Sequence, residues 1–122
     1  MLRTTIVAAT AVLAFAASGC SSSSKSDADS GTKIVEVKLT DAGCDPARIE
    51  IAAGRTEFEI TNDGADKVTE FEVLDGDKVL GEKENLTPGL SGDFTITLKA
   101  GTYRTLCPNG TTAPEGKLVV TG

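Results

Sequence analysis

Cys44 and Cys107 are the side chains in this sequence with the widest chemical reach, because two thiols can either close a disulfide or hold a soft metal ion. The chain carries three cysteines and no histidine at all. In an oxidising compartment an even pair of cysteines reads as a disulfide, whereas two thiolates with one further donor suit Cu(I) or Zn(II). Both readings of Cys44 and Cys107 stay open on the residues alone. The missing histidine excludes more than it leaves. Ser-His-Asp and Cys-His nucleophilic arrangements need an imidazole, as do the histidine-based zinc centres. A type 1 copper site needs two imidazoles and a thiolate, usually with an axial methionine, and the single methionine here is Met1. The glycines stand singly at turns, so no phosphate-cradling loop is present.

The third cysteine, Cys20, belongs to different chemistry. Arg3 opens the chain, a mainly apolar stretch runs from Ile6 to Ala17, and Ser18-Gly19-Cys20 follows. A basic start, a short apolar run and small residues before a cleavage point make a secretory leader, too short for the roughly 20 residues of a bilayer span. The cysteine after the small pair resembles the bacterial lipobox, which implies a diacylglycerol thioether on Cys20. Residues 1–19 are then a lipoprotein signal peptide and residues 20–32, rich in serine, glycine and acid, a flexible polar tether. Residues 33–122 remain for one small domain, anchored outside the cytoplasm on the bacterial cell membrane. Each buried CH₂ of the acyl chains contributes about 0.8 kcal/mol to that anchoring.

Twelve Lys and Arg face eighteen Asp and Glu, a net charge of −6. This balance argues against nucleic acid as a partner, since binding it relies on basic patches that neutralise phosphates. An acidic surface is compatible with attracting cations, but it also serves solubility alone.

Hydrophobic alternation of period two fills the domain. Val35, Val37 and Leu39 alternate with Glu36 and Lys38; Ile49 and Ile51 flank Glu50; Phe58 and Ile60 alternate with Glu57 and Glu59. Phe71 and Val73 alternate with Glu70 and Glu72, Phe94, Ile96 and Leu98 with Thr95 and Thr97, and Leu118-Val119-Val120 closes the chain. Turn signals such as Asp45-Pro46, Asn62-Asp63-Gly64, Asp75-Gly76-Asp77 and Pro88-Gly89 separate these runs. Seven to eight short strands at this spacing predict an all-β antiparallel sandwich, with residues 79–92 the least regular.

Cys44-Asp45-Pro46, Ala53-Gly54, Thr69-Glu70-Phe71-Glu72-Val73-Leu74, Glu84-Asn85-Leu86-Thr87-Pro88-Gly89, Gly101-Thr102-Tyr103 and Cys107 together resemble the cupredoxin-like domain of the EfeO type. That domain stands at the N-terminus of the extracytoplasmic component of the Efe iron uptake system. The likeness covers nearly all of residues 33–122 and implies a cupredoxin-like Greek-key sandwich. It also implies a metal site of Cys44, Glu70 and Cys107, holding copper or iron, in which two thiolates and a carboxylate favour a soft ion. Glu72, Asp41 and Asp45 are further carboxylates for a weaker oxygen site. Implied partners are a metal ion, an iron permease and a haem peroxidase. EfeO-type proteins usually continue into a helical domain with a His-x-x-Glu motif, which this sequence does not contain.

Two functions therefore compete, a tethered metal-binding module assisting iron or copper uptake and a disulfide-closed surface sandwich with no metal. Copper-dependent ferrous oxidation is a remote third, and no other enzymatic activity is expected. A disulfide between Cys44 and Cys107 would close a long loop and stabilise by roughly 2–4 kcal/mol in the chain-entropy picture.

Overall fold

The computed structural model describes residues 31–122, so the leader, Cys20 and the tether as far as Ser30 lie outside the described residues, while Thr32, the last residue of the expected tether, already opens the first strand. Nine strands follow one another: β1 (Thr32–Thr40), β2 (Gly43–Asp45), β3 (Arg48–Ala52), β4 (Gly54–Asn62), β5 (Phe71–Asp75), β6 (Lys78–Lys83), β7 (Ser91–Leu98), β8 (Gly101–Leu106) and β9 (Glu115–Thr121). They form two sheets, one of four strands in the order β2-β1-β4-β7 and one of five in the order β3-β9-β8-β5-β6. Among the described residues no helix is long and apolar enough to cross a membrane.

The alternation seen in the sequence turns into burial. Val37, Leu39, Phe58 and Ile60 from the first sheet meet Phe71, Val73 and Leu118 from the second, and all are buried. Phe58, Phe71 and Phe94 form an aromatic cluster between the sheets, with ring centroids 5.3–6.0 Å apart. Their polar neighbours in sequence point to the outer faces, as the period of two requires.

Two features differ from the sequence expectation. The sheets are mixed rather than antiparallel, because β1 pairs parallel with β4 and β3 parallel with β9. Alternation gives a strand's faces but not the direction of its neighbour. The strand count is nine, the addition being the three-residue β2, which is too short to show a period.

Candidate functional site

The Cys44 and Cys107 sulfurs are joined in a disulfide, with Cα atoms 5.6 Å apart. Cys44 stands on β2 and is nearly buried; Cys107 follows β8 and is fully buried. The loop after Cys107 is laid against the β1–β2 turn by backbone hydrogen bonds. Thr111 donates to the Asp41 carbonyl at 3.0 Å, and Ala113 donates to the Ala42 carbonyl at 2.8 Å. Gly43 makes this approach feasible: its φ is +142°, and a Cβ there would meet the Ala113 carbonyl oxygen at 1.8 Å. The crosslink thus fastens two segments that the backbone already holds together.

Glu70 lies elsewhere. It immediately precedes β5, whose neighbours are β8 and β6, so it is one strand from the sheet edge. Phe71 and Val73 turn into the core, and Glu70 and Glu72 therefore share the outer face of the five-stranded sheet. Glu82 of β6 stands directly opposite Glu72. Glu70, Glu72 and Glu82 each bring a carboxylate oxygen within 4.8 Å of the others. No such group among the described residues joins Glu70 to the two cysteines, nor Asp41 or Asp45 to Glu72. In the disulfide form, then, the three expected ligands do not converge; the cysteines face inward and Glu70 outward. Asp41 instead accepts a hydrogen bond from the Asp66 amide and lines a hollow of about 230 Å³ with Asp66, Lys67 and Thr111.

A shift in strand register builds the glutamate cluster. Leu74 pairs with Val79 but Val73 pairs with Gly81, so Leu80 is the extra residue of a β-bulge. Without it, a hairpin turning at Asp75–Lys78 would set Glu72 opposite Gly81 and Glu82 opposite Phe71, on the core side. The bulge moves Glu82 to the outer face beside Glu72. Glu84, one place past the end of β6, adds a fourth negative charge nearby.

Like charges directly opposite across a ladder are unfavourable, and no salt bridge among the described residues reaches these glutamates. The strain shows in the proton equilibrium. Glu70 is raised from its ordinary 4.5 to about 7, first by a hydrogen bond with the Glu72 carboxyl, then by partial burial, then by the charges of Glu72, Glu84 and Glu82. Glu70 therefore keeps its proton up to near neutrality. Chemically, this is a cluster of hard oxygen donors that gains from any cation able to replace that proton.

The sequence singled out Glu70 and Glu72 as donors, gave Glu84 only as part of the Glu-Asn-Leu-Thr-Pro-Gly run, and left Glu82 unremarked. The available signal was the repeated Glu-x-Glu, once as Glu70-Phe71-Glu72 and once as Glu82-Lys83-Glu84, on either side of the Asp75-Gly76-Asp77 turn.

Comparison with known proteins places this geometry. The cupredoxin-like domain family matches residues 6–120. The iron uptake system component EfeO of Escherichia coli strain K12 is 42% identical over 88 residues, 72% of this chain and 23% of that protein. EfeO of Shigella flexneri matches to the same extent. The chain thus spans less than a quarter of the length of these curated relatives. Among solved structures, auracyanin A, a blue copper protein of Chloroflexus aurantiacus, superposes with a TM-score of 0.64 at 18% identity, covering 75% of this chain and 100% of auracyanin. A purple cupredoxin of Nitrosopumilus maritimus gives a TM-score of 0.54 at 19% identity, covering 71% and 99% of the two chains. With a sandwich of this shape and a family match across most of its length, the chain belongs to the cupredoxin-like domain family.

Proposed function

We propose that this chain is an extracytoplasmic, lipid-tethered cation-binding module of an iron uptake system, with iron as its cargo. The observation that carries the reading is the Glu70, Glu72 and Glu82 cluster, three hard oxygen donors held on one sheet face without a counter-charge in any salt bridge among the described residues. Similarity to the iron uptake component EfeO supports the cargo. In this reading residues 1–19 are the leader, Cys20 carries the lipid, residues 20–32 are the tether, and residues 33–122 present the site to an iron permease or a haem peroxidase. The test is iron accumulation by iron-limited cells lacking the gene. The full chain should restore it and a Glu70→Gln, Glu72→Gln double variant should not; equal restoration by both would contradict the reading.

The metal usual for a blue copper protein does not fit these residues. The chain has no histidine, and the Cys107 sulfur is engaged with Cys44. Copper-loaded protein should therefore lack the intense blue thiolate-to-copper absorption of type 1 sites, in visible spectra of both oxidised and reduced samples.

A second reading concerns the reduced protein, in which Cys44 and Cys107 form a soft-ion site for Cu(I) that Glu70, outward in the disulfide form, joins only by turning towards them. The spacing of 5.6 Å between the cysteine Cα atoms favours it, because two freed thiolates would lie within reach of one ion. Binding of about one equivalent should then disappear in Cys44→Ser and Cys107→Ser and on oxidation, and fall less in Glu70→Gln, since a thiolate holds a soft ion better than a carboxylate.

A further inference from the structure

Asn62 is polar, at the end of β4, and almost wholly buried at 1% exposure. Its side-chain amide is spent entirely on backbone. Nδ2 donates towards three carbonyl oxygens, those of Ala65 at 2.8 Å, Val68 at 3.2 Å and Leu86 at 2.7 Å. Oδ1 accepts from the Ala65 amide at 2.7 Å. The backbone of Asn62 continues the pattern, donating to the Leu90 carbonyl and accepting from the Gly89 amide.

The partners matter more than their number. Val68 stands two residues before Glu70, and Leu86 two residues after Glu84. These are the points at which the chain enters β5 and leaves β6, beyond the last ladder pair, Phe71 with Lys83. Past that pair the two segments share one backbone bond, from the Leu86 amide to the Thr69 carbonyl at 2.9 Å. Glu72 and Glu82 sit inside the ladder and are fixed by it. Glu70 and Glu84 sit outside, where like charge pushes the segments apart.

We propose that Asn62 is a positioning residue for the glutamate cluster, its buried carboxamide tying both strand ends to β4 so that Glu70 and Glu84 stay beside Glu72 and Glu82. This rests on the reading of that cluster as a cation site. The carboxamide reaches across from the four-stranded sheet and holds backbone carbonyls two residues away from Glu70 and from Glu84, without touching a cation itself. Groups bonded directly to ligating side chains alter metal affinity by about 10- to 100-fold when replaced, and Asn62, acting through the backbone, belongs at the lower end of that range.

The test compares the full chain with Asn62→Asp and Asn62→Ser, using Val68→Ala as a control. Asn62→Asp keeps an acceptor for the Ala65 amide but turns an oxygen towards the Val68 and Leu86 carbonyls; Asn62→Ser is the milder loss of both donors. Val68 is fully buried, so Val68→Ala lowers stability while leaving the carboxamide in place. Mn(II), a hard-cation probe, is titrated into each, and hydrogen exchange of the Leu86 amide is followed by NMR well below the melting temperature. The Asn62 variants should lose about 10-fold or more in Mn(II) affinity and lose Leu86 protection, with Val68→Ala nearly unaffected in both. Affinity and Leu86 protection no lower in the Asn62 variants than in Val68→Ala would overturn the proposal. A wild-type affinity insensitive to Glu70→Gln and Glu72→Gln would instead sink the cation-site reading on which it rests.

Discussion

At the scale of single residues, Glu70 combines a raised proton affinity with a place among like charges, and this fixes the sign of its pH dependence. Its folded value of about 7 lies above the ordinary 4.5, so the folded chain binds the proton more tightly than the unfolded one. Its contribution to stability is full below about pH 4.5 and is lost as the pH rises through about 7. Denaturant melts across this window should show wild-type stability falling with pH and a shallower fall in Glu70→Gln; parallel curves would contradict the raised proton affinity of Glu70. Under the proposed function, cation binding should follow the opposite direction, strengthening as the proton leaves. The cysteines belong to a different account. Cys107 is fully buried, so Cys107→Ser removes a crosslink spanning 63 residues and sets a hydroxyl in an apolar site. A loss of about 2–5 kcal/mol is expected in equilibrium unfolding, and a near-neutral result would show that the backbone clamp alone carries the loop.

At the scale of elements, two local devices shape the molecule, the bulge at Leu80 and the packing of Gly43 against Ala113. In Gly43→Ala the new Cβ would meet a carbonyl oxygen at 1.8 Å in a backbone region that disfavours side chains. Thermal melts should show destabilisation of more than about 1 kcal/mol, and an unchanged melting temperature would mean the loop after Cys107 is free to move away. The β5–β6 ladder carries a different cost. Removing one charge of the facing pair in Glu72→Gln should raise stability by about 0.2–1 kcal/mol in cation-free buffer, read as a higher melting temperature. These devices also mark where the sequence was legible. The core strands were plain, because Val37, Leu39, Phe58, Ile60, Phe71 and Val73 announce their buried face by alternation. So was the availability of Cys44 and Cys107 for a disulfide. Glu82 was not, because its face depends on one bulged residue that no periodicity announces. The parallel pairing of β1 with β4 was hidden for a related reason, since β1 finds its partner across intervening chain rather than through a short turn.

At the scale of the whole molecule, the chain is a small acidic sandwich in which the inward cysteines are joined to each other and the proposed cation site lies on an outer sheet face. The fold is that of copper proteins such as auracyanin A, while the donors that suit type 1 copper are missing from the chain. If Cys20 carries the lipid, wild-type protein should partition with membranes and Cys20→Ala should not; wild type found wholly soluble with an unmodified N-terminus would remove the tether from the account. The central claim is that the Glu70, Glu72 and Glu82 face binds iron, and anaerobic calorimetric titration of the purified oxidised protein with Fe(II) tests it most directly. One binding event should appear at neutral pH, weaken as the pH is lowered below about 7, survive in Cys44→Ser, and fall about 10-fold or more in Glu70→Gln and in Glu72→Gln, as loss of a charged ligand at a small site implies. Fe(II) binding equal in the wild type and both glutamine variants, or none in any of them, would contradict it.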